Sequence, residues 1–151
     1  MLLRAILAAL LMIGPSDIAL ACAAPRSGES LSKDEVLRAT KAQFEHSDAI
    51  IDAIVFRDTR GNPFLKPIKI WKGQRQKAYA VKGDGCGVYL PEDGQRVRVL
   101  LYRDEHGWVL VQPIVSYGRG MPSYDGIIDS YLRSPRPSSF QSVGPMMPPL
   151  P

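Results

Sequence analysis

KPIKIWKGQRQKAYAVKGDGCGVYL, the stretch from Lys66 to Leu90, decides the fold. Its first half continues a run that starts at Phe64 and reads as a strand to Trp71, with Phe64, Ile68 and Ile70 on one face. Pro67 lacks an N–H to give to a ladder, so this strand is expected at an edge or at a bulge. Lys72-Gly73 ends it. Lys77 to Lys82 then alternates small Ala78 and Ala80 with larger Tyr79 and Val81, the period-2 pattern of a second strand. After it Gly83, Gly85 and Gly87 bracket Cys86 and supply the backbone freedom a cross-linked turn requires.

Upstream, Ala49 to Phe56 (AIIDAIVF) is rich in β-branched residues and reads as a strand, followed by a loop at Asp58-Thr-Arg-Gly-Asn-Pro. Ser32-Lys33-Asp34-Glu35 fits a capping box and predicts a helix over about residues 33–45, with Val36, Leu37, Thr40 and Phe44 at near-helical spacing. His46 falls at its end, in solvent. Downstream, Pro91-Glu-Asp-Gly is a turn, and Arg96 to Arg103 alternates with Val97, Val99 and Leu101 on one face and Arg96 and Arg98 on the other. Asp104-Glu-His-Gly predicts a hairpin turn with Gly107 as the permissive residue, and Trp108 to Val115 reads as its second strand. Tyr124, Ile127, Ile128, Tyr131 and Leu132 mark an amphipathic helix over residues 124–132. From Ser134 to Pro151 the chain is Pro-rich without an apolar period, which predicts a disordered or polyproline-like tail. The expected fold class is mainly β: a five-stranded antiparallel barrel, with the OB-fold as its leading version, an N-terminal and a C-terminal helix, and a disordered Pro-rich tail.

The N-terminus predicts export. Arg4 precedes an apolar run of nine residues, Ala5 to Ile13, too short to span a bilayer. Gly14-Pro15 breaks the run, and Ala19-Leu20-Ala21 fits the small-x-small rule for signal peptidase. The expected division is a signal peptide at 1–21, one domain at 22–133 and the tail at 134–151. Cleavage after Ala21 makes Cys22 the first mature residue. Cys22 and Cys86 are the only cysteines, and in an exported chain a pair favours a disulfide over a metal site. Closing so long a loop removes about 4 kcal/mol of unfolded-chain entropy in the simple model. The alternative is lipidation of Cys22, although Ala19 stands where a lipobox prefers Leu. The localisation expected is periplasmic or secreted, or membrane-anchored through Cys22 if lipidated.

The combination ALACAAP, IKIWKG, CGVYL and the helix Tyr124–Leu132 resembles the netrin-like module of the tissue inhibitors of metalloproteinases and their bacterial relatives. Cys22, Trp71-Lys72-Gly73 and Cys86-Gly87-Val88 match that family's motifs in order and approximate spacing over about residues 22–133. The resemblance implies an OB-like barrel and a Cys22–Cys86 bridge. The family's Cys-x-Cys start is altered here to Ala24, and no cysteine stands near Gln112 where its partner lies, so both halves of one bridge are absent together. The resemblance also implies that the α-amino group and carbonyl of Cys22 chelate the zinc of a target protease while Ala23 enters its specificity pocket; an amine nitrogen and a carbonyl oxygen suit an open zinc position. The structural reading of Cys22, a staple for the N-terminal arm, stands beside it.

No catalytic constellation is recognisable. Cys86 has no nearby base, and a half-cystine is no nucleophile. Asp104, Glu105 and His106 sit at a hairpin tip, where charge is expected. No cofactor or resident metal is implied. The net charge of +4 and a pI near 9.2 favour acidic partners. Lys69, Lys72, Arg75 and Lys77, interleaved with Phe64, Trp71 and Tyr79, form a candidate anionic-ligand surface for a glycan or a membrane. OB-folds bind single strands on such surfaces, but export argues against nucleic acid. The sequence therefore predicts an exported, non-catalytic binding protein whose partner is a zinc metalloprotease or another envelope protein, or an anionic glycan or membrane surface. An envelope-anchored lipoprotein with a structural role is the alternative.

Overall fold

The computed structural model describes residues 31–82, 88–114 and 119–145. Helix α1 (Lys33–His46) opens with the capping box expected: the Ser32 hydroxyl accepts from the Glu35 N–H, and the Glu35 carboxylate accepts from the Ser32 N–H at 2.8 Å. Three strands follow, β1 (Ala49–Arg57), β2 (Pro63–Lys72) and β3 (Tyr79–Lys82). Then come β4 (Val88–Tyr89), β5 (Arg96–Asp104), β6 (Gly107–Leu110), helix α2 (Tyr124–Leu132), β7 (Phe140–Gln141) and β8 (Gly144–Pro145). The strand expected over 108–115 thus ends at Leu110, and the one expected over 77–82 begins at Tyr79.

The protein is mainly β, with a mixed sheet and two helices. Six strands lie in the order β1-β2-β3-β6-β5-β7, and β5 also pairs with β1. The pairings therefore run round a circuit of five, β1-β2-β3-β6-β5. The expectation of a purely antiparallel arrangement is corrected: β3 and β6 are parallel, as are β5 and β7. The physical reason is parity. Strand direction alternates through the antiparallel pairs β3–β2, β2–β1, β1–β5 and β5–β6. A circuit with an odd number of strands cannot close with alternation preserved, so one pair must be parallel. The β5–β6 turn is permitted by Gly107 at φ +136°.

A core fills the inside of the circuit. Val97, Val99 and Leu101 enter it as their alternation predicts, joined by Ile51, Val55, Leu65, Tyr79, Val81 and Trp108. In β2 the expected face is corrected. The register shifts between Ile50 and Ile51 and between Asp52 and Ala53, so Trp71 and Ile68 are extra residues opposite β1. These bulges put Leu65 and Ile70 toward the core and leave Ile68 half exposed. Pro67 lies at the second bulge, as its missing N–H requires. On the outer face a second apolar cluster forms from Ile50, Leu100 and Ile128 with Phe44, Trp71, Tyr124 and Leu132, so the helices pack against the sheet there.

The tail is the other correction. Residues 134–145 are not disordered: β7 pairs with β5, β8 pairs with β4, and Val143 is buried in the main core. A segment whose partners are distant strands needs no apolar period of its own. Pro and Ser suit its extended backbone, and the missing hydrogen bonds are supplied from elsewhere in the chain.

Candidate binding groove and the charge network behind it

Cys22, Ala23 and Cys86 lie outside the described residues, and with them the expected disulfide, the zinc-chelating terminus and the pocket residue. Trp71-Lys72-Gly73, the other part of the family-like pattern, is described in full. Trp71 belongs to the second apolar cluster. Lys72 Nζ donates to the carbonyl oxygens of Glu45 at 2.8 Å and Phe44 at 3.3 Å, the last turn of α1. A cation there satisfies orphan carbonyls and opposes the negative end of the helix dipole. Gly73 has φ +95° and packs against Asp48 and Ala49. Each residue of the motif has a packing role where β2 meets α1.

The four residues of the expected basic surface are therefore in different situations. Lys72 is committed to α1. Lys69 Nζ lies 3.3 Å from the centroid of the Trp71 ring, over its face. Arg75 and Lys77 are exposed on the connection between β2 and β3.

Behind this face lies a charge network that the strand pattern hides. Asp52 and Arg98 are direct partners across β1 and β5. Arg98 points outward, as the alternation predicts, but α2 covers it, and only 4% of it is exposed. Its Nε and Nη2 donate to the two Asp52 oxygens at 2.6 and 3.0 Å. Its Nη1 donates to Asp129 Oδ1 at 2.9 Å and to the Ser134 carbonyl at 2.7 Å. Arg136 adds further bonds to Asp129 and an ion pair with Asp125 at 2.8 Å. Burial raises the Asp129 pKa, but the bonds and charge of Arg136, helped by Arg98, outweigh it and hold the carboxyl below the usual range. Burial pushes the Tyr124 hydroxyl up, and its neighbour Asp125 adds to the rise. The sequence signal for this network was Asp52, an acid in an otherwise apolar strand, which needs a buried partner. The network fixes α2 and the tail to the sheet; its polar atoms are turned inward to one another.

An opening lies across β2, β3 and the β5–β6 turn, with a volume near 660 Å³. One wall is the end of the β1–β2 loop and the start of β2, Asn62, Pro63 and Phe64. Its floor includes Ala78 and Ala80, whose small side chains leave the surface flat. The far wall is Arg103, His106 and Trp108, with Lys82 at one end and Gln76 at the other. The Arg103 guanidinium lies 5.7 Å from the Trp108 ring centroid, over its face. Among the described residues, no hydroxyl, thiol or carboxylate side chain lines this groove. No group of three or more His, Cys, Asp and Glu residues suited to holding a metal occurs among them either. No described helix is long and apolar enough to cross a membrane.

Compared with family models, with curated proteins and with solved structures, the chain finds no match.

Proposed function

We propose that this chain is an exported, non-catalytic binding protein built on an OB-like barrel of the netrin-like type. The circuit β1-β2-β3-β6-β5 with one parallel closing pair supports the barrel reading, because an OB-fold is a five-stranded barrel whose closing strands meet in this way. The observation that carries the functional reading is the groove. It crosses strands two and three of the circuit and lies between the loop after the first strand and the turn before the last, where OB barrels bind extended ligands. Its lining offers flat apolar surface, amides and cations, which recognise a ligand, and lacks the paired nucleophile and base that acyl or phosphoryl transfer requires. Export is supported by Arg4, the short apolar run and Ala19-Leu20-Ala21. Action on a metalloprotease through Cys22 and Ala23 rests on the resemblance and is separable from the groove.

Site-specific photo-crosslinking in exporting cells tests this reading. A photoreactive residue replacing Gln76, at the groove, is expected to give a discrete adduct in the exported fraction. The same residue replacing Lys41, exposed on α1, is expected to give none. Equal labelling from both positions, or adducts from neither, contradicts the groove as the binding site.

A further inference from the structure

The register of the sheet places two aromatic rings side by side next to the groove. Phe56 of β1 is directly opposite Phe64 of β2, and Phe64 is directly opposite Ala80 of β3. Residues directly opposite share a face, and here it is the outer one, because neighbouring Val55, Leu65 and Tyr79 all enter the core. Phe56 is 41% exposed and Phe64 is partly so. Nothing in the fold requires an exposed ring at Phe56: a polar residue satisfies that ladder position equally. The row Phe56–Phe64–Ala80 is thus a flat apolar platform leading across the sheet into the groove.

The groove is lined by Lys82 and Arg103, while acids stand at its margins, Asp58 bonded to Asn62 and Glu105 beside His106. Lys66 follows Phe64 by two residues on the same face of β2, apart from the ladder shift beyond it, and pairs with Ile54. Lys82 follows Ala80 by two residues on β3, and Arg103 also lines the groove, beside Trp108. None of the three has an ion-pair partner among the described residues, although other arginines of this chain are paired. His106 is the exception in the groove, with Glu105 at 3.1 Å. A surface on which Lys82 and Arg103 have no ion-pair partner among the described residues, beside two rings on neighbouring strands, is suited to a ligand that alternates flat faces with negative charges.

We infer that the groove binds a linear acidic polysaccharide, its sugar faces lying on the Phe56–Phe64 row and its carboxylates meeting Lys82 and Arg103. Stacking of pyranose faces on aromatic rings uses the same apolar contact that aromatic platforms provide to other flat ligands. The charge contacts set the preference for an acidic over a neutral chain and make it salt-dependent. This inference rests on the groove being the binding site of the proposed function, and it adds the chemical class of the ligand. Single-stranded nucleic acid has flat faces and negative charge as well; the inferred export of the chain favours the polysaccharide.

The test is titration of the full mature chain, followed by amide chemical shifts, with a hexamer of galacturonic acid, its fully methyl-esterified form and a hexamer of thymidylate. Binding of the acid form is expected, with shifts confined to residues around Phe64, Ala80, Lys82 and Arg103. The double variant Lys82→Gln, Arg103→Gln is expected to weaken it about tenfold or more, and the methyl ester is expected to bind no better than that variant. Phe56→Ala, at an exposed position that leaves the core intact, is expected to lose several-fold for both sugar forms. Equal binding of the ester overturns the acidic class but leaves the groove as a binding site. Tighter binding of the thymidylate replaces the polysaccharide with nucleic acid. Absence of groove shifts with all three, where the Gln76 cross-linker does capture a ligand, overturns the polysaccharide and leaves the proposed function standing.

Discussion

At Gly73 the backbone turns with φ +95°, and a Cβ placed there would lie 2.5 Å from the Asp48 carbonyl oxygen and 3.0 Å from Ala49. Both the angle and the space exclude a side chain. Gly73→Ala is therefore expected to destabilise the fold by about 2–3 kcal/mol in urea unfolding; an unchanged midpoint refutes this account of the Trp71-Lys72-Gly73 motif. Arg98 presents the opposite case, a side chain that cannot be removed alone. Arg98→Ala leaves the Asp52 carboxylate buried without its partner, which typically costs about 3–5 kcal/mol, while Asp129 keeps Arg136. Replacing the Asp52–Arg98 pair together by Leu and Met is expected to recover much of that loss, because the charges then leave together. Asp129 makes the network pH-dependent. Its folded pKa is depressed, so its contribution is present at pH values above the ordinary carboxyl pKa of about 4 and is lost as pH falls through its lower folded value. The stability gap between the wild type and Asp129→Asn is expected to narrow as pH falls below about 4; a gap that stays constant contradicts the pairing.

Among the elements, those whose signals are local were legible in the sequence. The Ser32–Glu35 box placed the start of α1, and the spacing of Tyr124, Ile127, Ile128, Tyr131 and Leu132 placed α2 at the residues it occupies. The alternation of Val97, Val99 and Leu101 placed β5. What failed were features set by distant partners. The bulges of β2 come from its register with β1, so Ile68 was placed on a face it does not share with Ile70. Residues 134–145 carry no period, and their order comes from β4, β5, Arg98 and Asp129. The bonds of Lys72 to the end of α1 were not legible either, because nothing local shows that the helix ends within its reach. Two measurements follow at this scale. Lys72→Ala is expected to cost about 0.5–1 kcal/mol through the α1 terminus while leaving ligand affinity at the groove unchanged; a tenfold loss of affinity restores Lys72 to the site. A chain ending at Arg133 is expected to be several kcal/mol less stable than the full chain, since it loses β7, Val143 and the Ser134 and Arg136 contacts to the network. Equal stability supports a dispensable tail.

Across the whole molecule, the mainly β class was legible because five strands and two helices each announced themselves. The closing pair was not. β3 and β6 are parallel neighbours joined by no hairpin, and only the odd number of strands in the circuit requires them to meet as they do. The groove depends on that meeting. Lys82 stands at the end of β3, and Arg103 and Trp108 flank the β5–β6 turn, so no local pattern joins them; the fold does. The basic face read from Lys69 to Lys77 is a local run of the sequence, whereas the residues of the groove come together only in the fold. The account as a whole requires that this groove be presented outside the cytoplasm by a chain that begins at Cys22. Intact mass of the protein recovered from its native export pathway, before and after reduction, tests that most directly. The predicted result is a chain starting at Cys22 that gains two hydrogens on reduction, as a Cys22–Cys86 bridge requires. A chain that retains residues 1–21 contradicts export. A diacylglycerol adduct on Cys22 contradicts the bridge and replaces a free exported protein with an anchored one.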